Sequence, residues 1–168
     1  MMRIIGIDPG IAITGYGIIE ERGSDYYCLE SGCIRTSKDL ESSMRLQSIF
    51  DQICALVDHH RPVALAIEKI FFSKNVRTAF QVGEARGVII LAAARCSLAV
   101  YEYTPLQVKQ AVAGYGKAEK NQVQRMVQML LRLKKIPAVD DEADAMAVAL
   151  CHLQSHRWRE AVKGGNQQ

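Results

Sequence analysis

The stretch Ile4-Ile5-Gly6-Ile7-Asp8-Pro9-Gly10, continued by Thr14-Gly15-Tyr16-Gly17, decides how the rest of the chain is read. A short apolar run of this length is a buried strand. It ends on a carboxylate, and Pro9-Gly10 then turns the backbone sharply. Glycines at 10, 15 and 17 keep side chains off the backbone beside that acid, so something bulky has room to approach. An acid held there is poised for metal or phosphate chemistry. Taken alone, Asp8 reads first as a turn cap, a place Asp often takes before Pro. What joins it elsewhere in the chain decides between the two.

Outward from this strand, residues 15–20 and 26–35 are two more strands, joined through a Gly23-Ser24-Asp25 turn. Strands so closely spaced form an antiparallel meander. Leu46, Ile49, Phe50, Ile53 and Val57 fall on one face of a helix spanning about 40–59, which Pro62 ends. Residues 63–68 are a fourth buried strand, and it too finishes on a carboxylate, Glu68. The loop from Lys69 to Asn75 sets Phe71 and Phe72 between lysines, where they either stack on bases or pack into the core. A helix over 76–95 carries Gly83 and Gly87; each costs about 1 kcal/mol against alanine, which close approach of another element would offset. A fifth strand covers 98–103. Thr104-Pro105 supplies an N-cap and N1 proline for a short helix to Val112. After the Gly114–Lys117 break come an amphipathic helix over 118–133, a linker containing Pro137, and a last helix from near Asp140 that is nearly all apolar from Ala143 to Leu153. Residues 1–156 read as one domain and 157–168 as a tail, flexible at its end. The order βββαβαβα predicts an α/β fold with a five-stranded mixed sheet, three antiparallel strands then parallel ones, flanked by helices. That order resembles the ribonuclease-H-like fold.

With 49% hydrophobic residues and a mean hydropathy of −0.02, the chain is neither disordered nor membrane-embedded in character. No apolar run reaches the roughly 18 residues that a membrane span requires. The N-terminus enters the first strand with no separate leader pattern, so a cytoplasmic location is expected. Five cysteines lack any Cys-x-x-Cys spacing, which argues against a zinc site or a disulfide framework. His152 and His156 are i, i+4 but enclose no Glu, so they are expected on a helix surface.

Charge is unevenly spread. Residues 1–68 hold six basic and ten acidic side chains, a net −4; residues 69–137 hold twelve and three, a net +9; residues 138–168 hold three and five, a net −2. A basic middle between acidic ends reads either as a solvated face or as a surface that meets phosphates, with acids gathered separately.

Four acids stand out by position. If the strands ending in Asp8 and Glu68 are parallel neighbours, both acids emerge where open α/β sheets place their sites. Asp141 and Asp144 are i, i+3 and share one face of the last helix. Acids in a first helical turn also complement the helix dipole, which accounts for Asp141 and Glu142 without further function. Asp144 sits among alanines where the helix has turned apolar. Carboxylates converging in a low-dielectric cleft need a counter-charge. All-oxygen ligation suits Mg²⁺ or Mn²⁺ rather than zinc. Two such ions would serve both oxygens of an in-line phosphodiester hydrolysis. Lys109, Lys117 and Lys120 lie in the basic segment, within reach of phosphates.

The same residues carry a resemblance. Gly6-Ile7-Asp8-Pro9-Gly10 with Thr14-Gly15-Tyr16-Gly17, Ser31-Gly32-Cys33-Ile34-Arg35-Thr36, Ala66-Ile67-Glu68 with Phe71 and Lys74-Asn75, Ala85-Arg86-Gly87-Val88, Gln107-Val108-Lys109-Gln110, Ala118-Glu119-Lys120, and Asp141 with Ala143-Asp144-Ala145 resemble the RuvC family of crossover (Holliday) junction endodeoxyribonucleases. The match runs to about residue 153. It implies that Asp8, Glu68, Asp141 and Asp144 are the catalytic, metal-binding acids, with two Mg²⁺ per site and Mn²⁺ as a substitute. It implies DNA contacts from Phe71, Lys74, Arg77, Lys109, Lys117 and Lys120, with Phe71 inserted at the junction. It also implies a homodimer that nicks two opposing strands of a four-way junction in recombination and repair, with RuvA and RuvB as partners. The helix carrying Gly83, Gly87 and Ile89-Ile90-Leu91 reads either as part of that dimer interface or as ordinary packing on the sheet.

Overall fold

The computed structural model describes residues 1–69 and 76–165, with side chains described for 1–69 and 79–157. Phe71, Phe72 and Lys74 lie outside the described residues, as does the side chain of Arg77. The elements are β1 (Met2–Asp8), β2 (Ile13–Arg22), β3 (Asp25–Arg35), α1 (Ser42–His60), β4 (Ala64–Glu68), α2 (Val76–Arg95), β5 (Ala99–Tyr103), α3 (Pro105–Ala113), α4 (Lys120–Leu130) and α5 (Asp140–Gly165).

The five strands form one sheet in the order β3-β2-β1-β4-β5. β3, β2 and β1 pair antiparallel, while β1, β4 and β5 pair parallel. Because successive side chains of a strand face opposite ways, each strand feeds two cores. Ile5, Ile7, Ile18, Leu65 and Ile67 pack against α1 and α2 on one face. Ile4, Ile19, Ala64 and Ala66 pack against α3, α4 and α5 on the other. The alternation fixes where the strand-end acids point. Asp8 shares the α5 face with Ile4 and Gly6, and Glu68 shares it with Ala64 and Ala66.

α5 lies close against that face because both surfaces are small. A Cβ built on Gly6 would meet the Ala145 carbonyl and Ala149; one on Gly15 would meet the Asp141 carbonyl; one on Gly17 would meet Met146. The space that Gly15 and Gly17 leave beside Asp8 is therefore taken by the last helix, whereas Gly10 borders an open depression that Asp141 also lines. Gly10 serves the turn itself, where a Cβ would strike the Ile13 carbonyl. Gly83 and Gly87 behave differently. Nothing in the described chain comes within 4 Å of a Cβ at either position, so the expected approach of another element is absent among the described residues.

Several boundaries move for local reasons. β2 extends past residue 20 because Glu20 is buried and bonded by both Arg3 and Arg22, which hold its carboxyl below the usual range. α4 begins after Glu119, which caps it reciprocally with Gln122, and is followed by Arg132 at a positive φ of 51°. Thr104, Pro105 and Gln107 make the expected cap of α3. His152, expected on a helix surface, is buried; the Tyr103 hydroxyl lies 2.8 Å from its Nδ1. α5 runs without a break past residue 156 to Gly165, so the segment read as a tail is helical that far; its end, 166–168, lies outside the described residues. Among the described residues no helix is long and apolar enough to cross a membrane.

Candidate metal and nucleic-acid site

β1 and β4 are in register through Ile7 and Ile67, so Asp8 and Glu68 follow one step on, at adjacent strand ends. Asp8 is also paired across β1–β2 with Gly15, the residue on which the Asp141 carbonyl rests. One turn further along α5, Asp144 reaches Lys120 at the head of α4, with Nζ to Oδ2 at 3.0 Å. Lys120 also bonds Asp140 at 3.1 Å, and Gln124 Nε2 donates to the other oxygen of Asp140 at 2.8 Å.

The electrostatics show that these acids sense one another. Burial, then the charges of Asp144, Glu68 and Asp141, push Asp8 up to about 7, against the opposing pull of Lys120. Burial and Asp144 raise Glu68, with Lys120 and Lys109 working the other way. Burial raises Asp144 in spite of its bond to Lys120. Lys120 is itself raised: burial disfavours its charge, but the bonds to Asp144 and Asp140 outweigh it. An acid titrating near neutrality among other acids is a group short of positive charge.

Glu68, Lys109, Lys120 and Asp144 line one cleft of 210 Å³, floored by Pro105, Val108, Val123, Ala147 and Val148. Asp141 opens instead onto a neighbouring depression of 290 Å³ beside the Gly10–Ile13 turn and Gln81 and Val82 of α2. Among the described residues no three Asp, Glu, His or Cys side chains are grouped as ready-made ligands of one ion. The charge coupling and that grouping differ because coupling reaches several ångströms further than a metal–oxygen bond. The donor set still fits a hard divalent cation: only carboxylates, no sulfur or imidazole, and an electrostatic deficit at Asp8.

Of the basic residues singled out in the sequence, Lys109 and Lys120 line the cleft, whereas Lys117 is exposed in the loop between α3 and α4. Arg77 has its backbone in the first turn of α2. Two features escaped the sequence. Asp140 anchors Lys120, and Glu142 accepts a hydrogen bond from Ser31 Oγ at 2.7 Å. Both acids looked like ordinary helix-start residues, and only the tertiary fold reveals their partners.

A family model described as "Crossover junction endodeoxyribonuclease RuvC" matches residues 4–152. The chain belongs to the RuvC family. A crossover junction endodeoxyribonuclease RuvC of Pelotomaculum thermopropionicum is 53% identical over 162 residues, covering 96% of this chain and 99% of that protein. The RuvC of Caldicellulosiruptor saccharolyticus is 54% identical over 155 residues, covering 92% and 93%. Among solved structures, T. thermophilus RuvC in complex with Holliday junction substrate superimposes with a TM-score of 0.91 at 36% identity, covering 94% of this chain and 96% of that one. The family thus bears out the resemblance and the ribonuclease-H-like architecture read from the sequence.

Proposed function

We propose that this chain is a structure-selective endonuclease that resolves four-way DNA junctions by paired, symmetric, metal-dependent nicks in recombination and DNA repair. The observation that carries the reading is Asp8, at the end of β1, raised to about 7 by burial and by Asp144, Glu68 and Asp141 in a fold shared with a junction-bound RuvC. Asp8, Glu68, Asp141 and Asp144 hold Mg²⁺, two ions per site, and Mn²⁺ substitutes. The ions, when bound, stabilise charge on the attacking and leaving oxygens of the hydrolysed phosphodiester. Sharing an ion would require the carboxylates to rotate, with Asp144 leaving its bond to Lys120.

The chain's own residues do the rest. Lys109 and Lys120, on the wall of the acidic cleft, neutralise the phosphate flanking the cut. Lys120 is held for that task by Asp140, itself fixed by Gln124. Lys117, exposed on the adjoining loop, extends the basic surface along the strand. Phe71, Lys74 and Arg77 contact the junction on the strength of the family resemblance. Two symmetric cuts require two identical sites about a two-fold axis, hence a homodimer. The outward side of α2 suits that role: Phe80 is 70% and Leu91 60% exposed, with Gly83 and Gly87 open between them. RuvA and RuvB are the partners and the cytoplasm the compartment that this role implies.

The test is incubation of a synthetic four-way DNA junction, a linear duplex and an RNA–DNA hybrid with the protein and Mg²⁺. Paired symmetric nicks in the junction alone are expected. Equal cutting of linear duplex, or cutting of the hybrid in preference, overturns the assignment.

A further inference from the structure

We infer that the hydrogen bond from Ser31 to Glu142 is a strut that sets the rotation of the first turns of α5, and through it the presentation of Asp141 and Asp144 to a divalent cation. The inference rests on the metal-binding reading of those acids. Ser31 Oγ donates to Glu142 Oε1 at 2.7 Å across 111 residues of sequence, and both side chains are half-buried between β3 and the head of the helix. On a helix successive side chains are about 100° apart, so Glu142 and Asp144 point some 200° from one another. A tie on Glu142 therefore holds one side of the turn while Lys120 holds the other, through Asp140 and Asp144.

One other hydrogen bond from β3 reaches this turn, between Cys33 and the Glu142 backbone, and it leaves the Glu142 side chain to Ser31. Below the first turn α5 is seated by small residues, Gly6, Gly15 and Gly17 against the Asp141 and Ala145 backbone, Ala149 and Met146. Such contacts limit how closely the helix approaches but give little directional resistance to its turning. Upstream, the residues between α4 and α5 form no helix or strand that could anchor the start of α5. A short, directional hydrogen bond to a charged acceptor is the kind of contact that fixes an angle. Its loss is expected to weaken ion binding by roughly tenfold, the lower end of what residues supporting metal ligands contribute.

Glu142 also brings negative charge near the site, and two variants separate charge from position. Ser31→Ala keeps the charge and removes the tie; Glu142→Gln removes the charge and keeps a carbonyl oxygen to accept the bond. The experiment is calorimetric titration of the DNA-free protein with Mn²⁺ alone, with thermal unfolding in chelator to confirm that each variant is folded. Positioning predicts about tenfold weaker binding for Ser31→Ala, recovery toward wild type for Ser31→Thr, and a change within about twofold for Glu142→Gln. Ion affinity lowered by Glu142→Gln but untouched by Ser31→Ala would show a charge effect and overturn the strut. Equal Mn²⁺ affinity in wild type and Ser31→Ala overturns the strut alone. Wild-type protein that binds no Mn²⁺ overturns the metal-site reading and the strut with it.

Discussion

Replacing Asp8 by Asn should stabilise the metal-stripped protein above neutral pH while destroying its catalysis. Burial, then its acidic neighbours, move Asp8 from the ordinary 3.8 of an aspartate up to about 7. At about 1.4 kcal/mol per unit the shift corresponds to about 4 kcal/mol. Part of that belongs jointly to Asp144 and Glu68, and Asp8 retains some solvent, so about 2 kcal/mol is the expected effect of one substitution. The sign follows from proton binding. Between about pH 4 and 7 the folded chain holds a proton that the unfolded chain has released, so stability falls as pH rises through that window and the full cost is present above it. Asn carries no such cost. In chelator at pH 8, Asp8→Asn should melt about 4–8 °C above wild type, the shift that 2 kcal/mol produces in a domain of this size. The advantage should fade toward pH 4. Mg²⁺ should raise the melting temperature of wild type and leave the variant nearly unmoved. Calorimetry or circular dichroism across pH 4–8 reads this out. A variant less stable than wild type at pH 8, beside a wild type whose stability does not change from pH 5 to 8, would refute the electrostatic reasoning.

Gly15→Ala places a methyl group against the Asp141 carbonyl, and because that atom is helix backbone the clash is relieved only by moving α5. A loss of about 2–3 kcal/mol in chemical denaturation is expected, with nicking impaired more than folding. Lys120→Ala should weaken junction binding and lower the slope of log affinity against log salt by about one, as loss of a single phosphate contact requires; an unchanged slope would remove Lys120 from the DNA contacts. Leu91→Glu should shift a homodimer toward monomer in analytical ultracentrifugation at micromolar concentration, since it puts charge on the open apolar side of α2. Retention of the dimer would place the interface elsewhere.

The sheet was legible because its evidence is local. Apolar strands ending in Asp8 and Glu68 are visible as runs, and the Thr104-Pro105 and Gly23-Ser24 signals are properties of two or three neighbouring residues. Asp8 and Glu68 could be placed at one sheet edge, and Asp141 with Asp144 on one helix face, because period two and period 3.6 carry the geometry along each element. What the residues concealed were contacts between elements far apart in sequence. The glycines beside Asp8 looked like an opening, yet Gly15 and Gly17 seat α5, which a reader of one strand has no means to see. Glu20 read as the last residue of its strand, and the fold shows Arg3 and Arg22 closing on it. Ser31 and Glu142 are separated by 111 residues, and each has an unremarkable local explanation. His152 did leave a trace: it falls inside the apolar run from Ala143 to Leu153, whose burial carries the imidazole inward to Tyr103.

The most direct measurement compares wild type and Asp8→Asn on a synthetic four-way junction with Mg²⁺, each at a protein concentration giving equal occupancy of the DNA. Carboxylates acting together through divalent ions predict that the variant binds the junction as wild type does and nicks it at least about a thousandfold more slowly. Nicking by Asp8→Asn within a few-fold of wild type would contradict that role for the cluster.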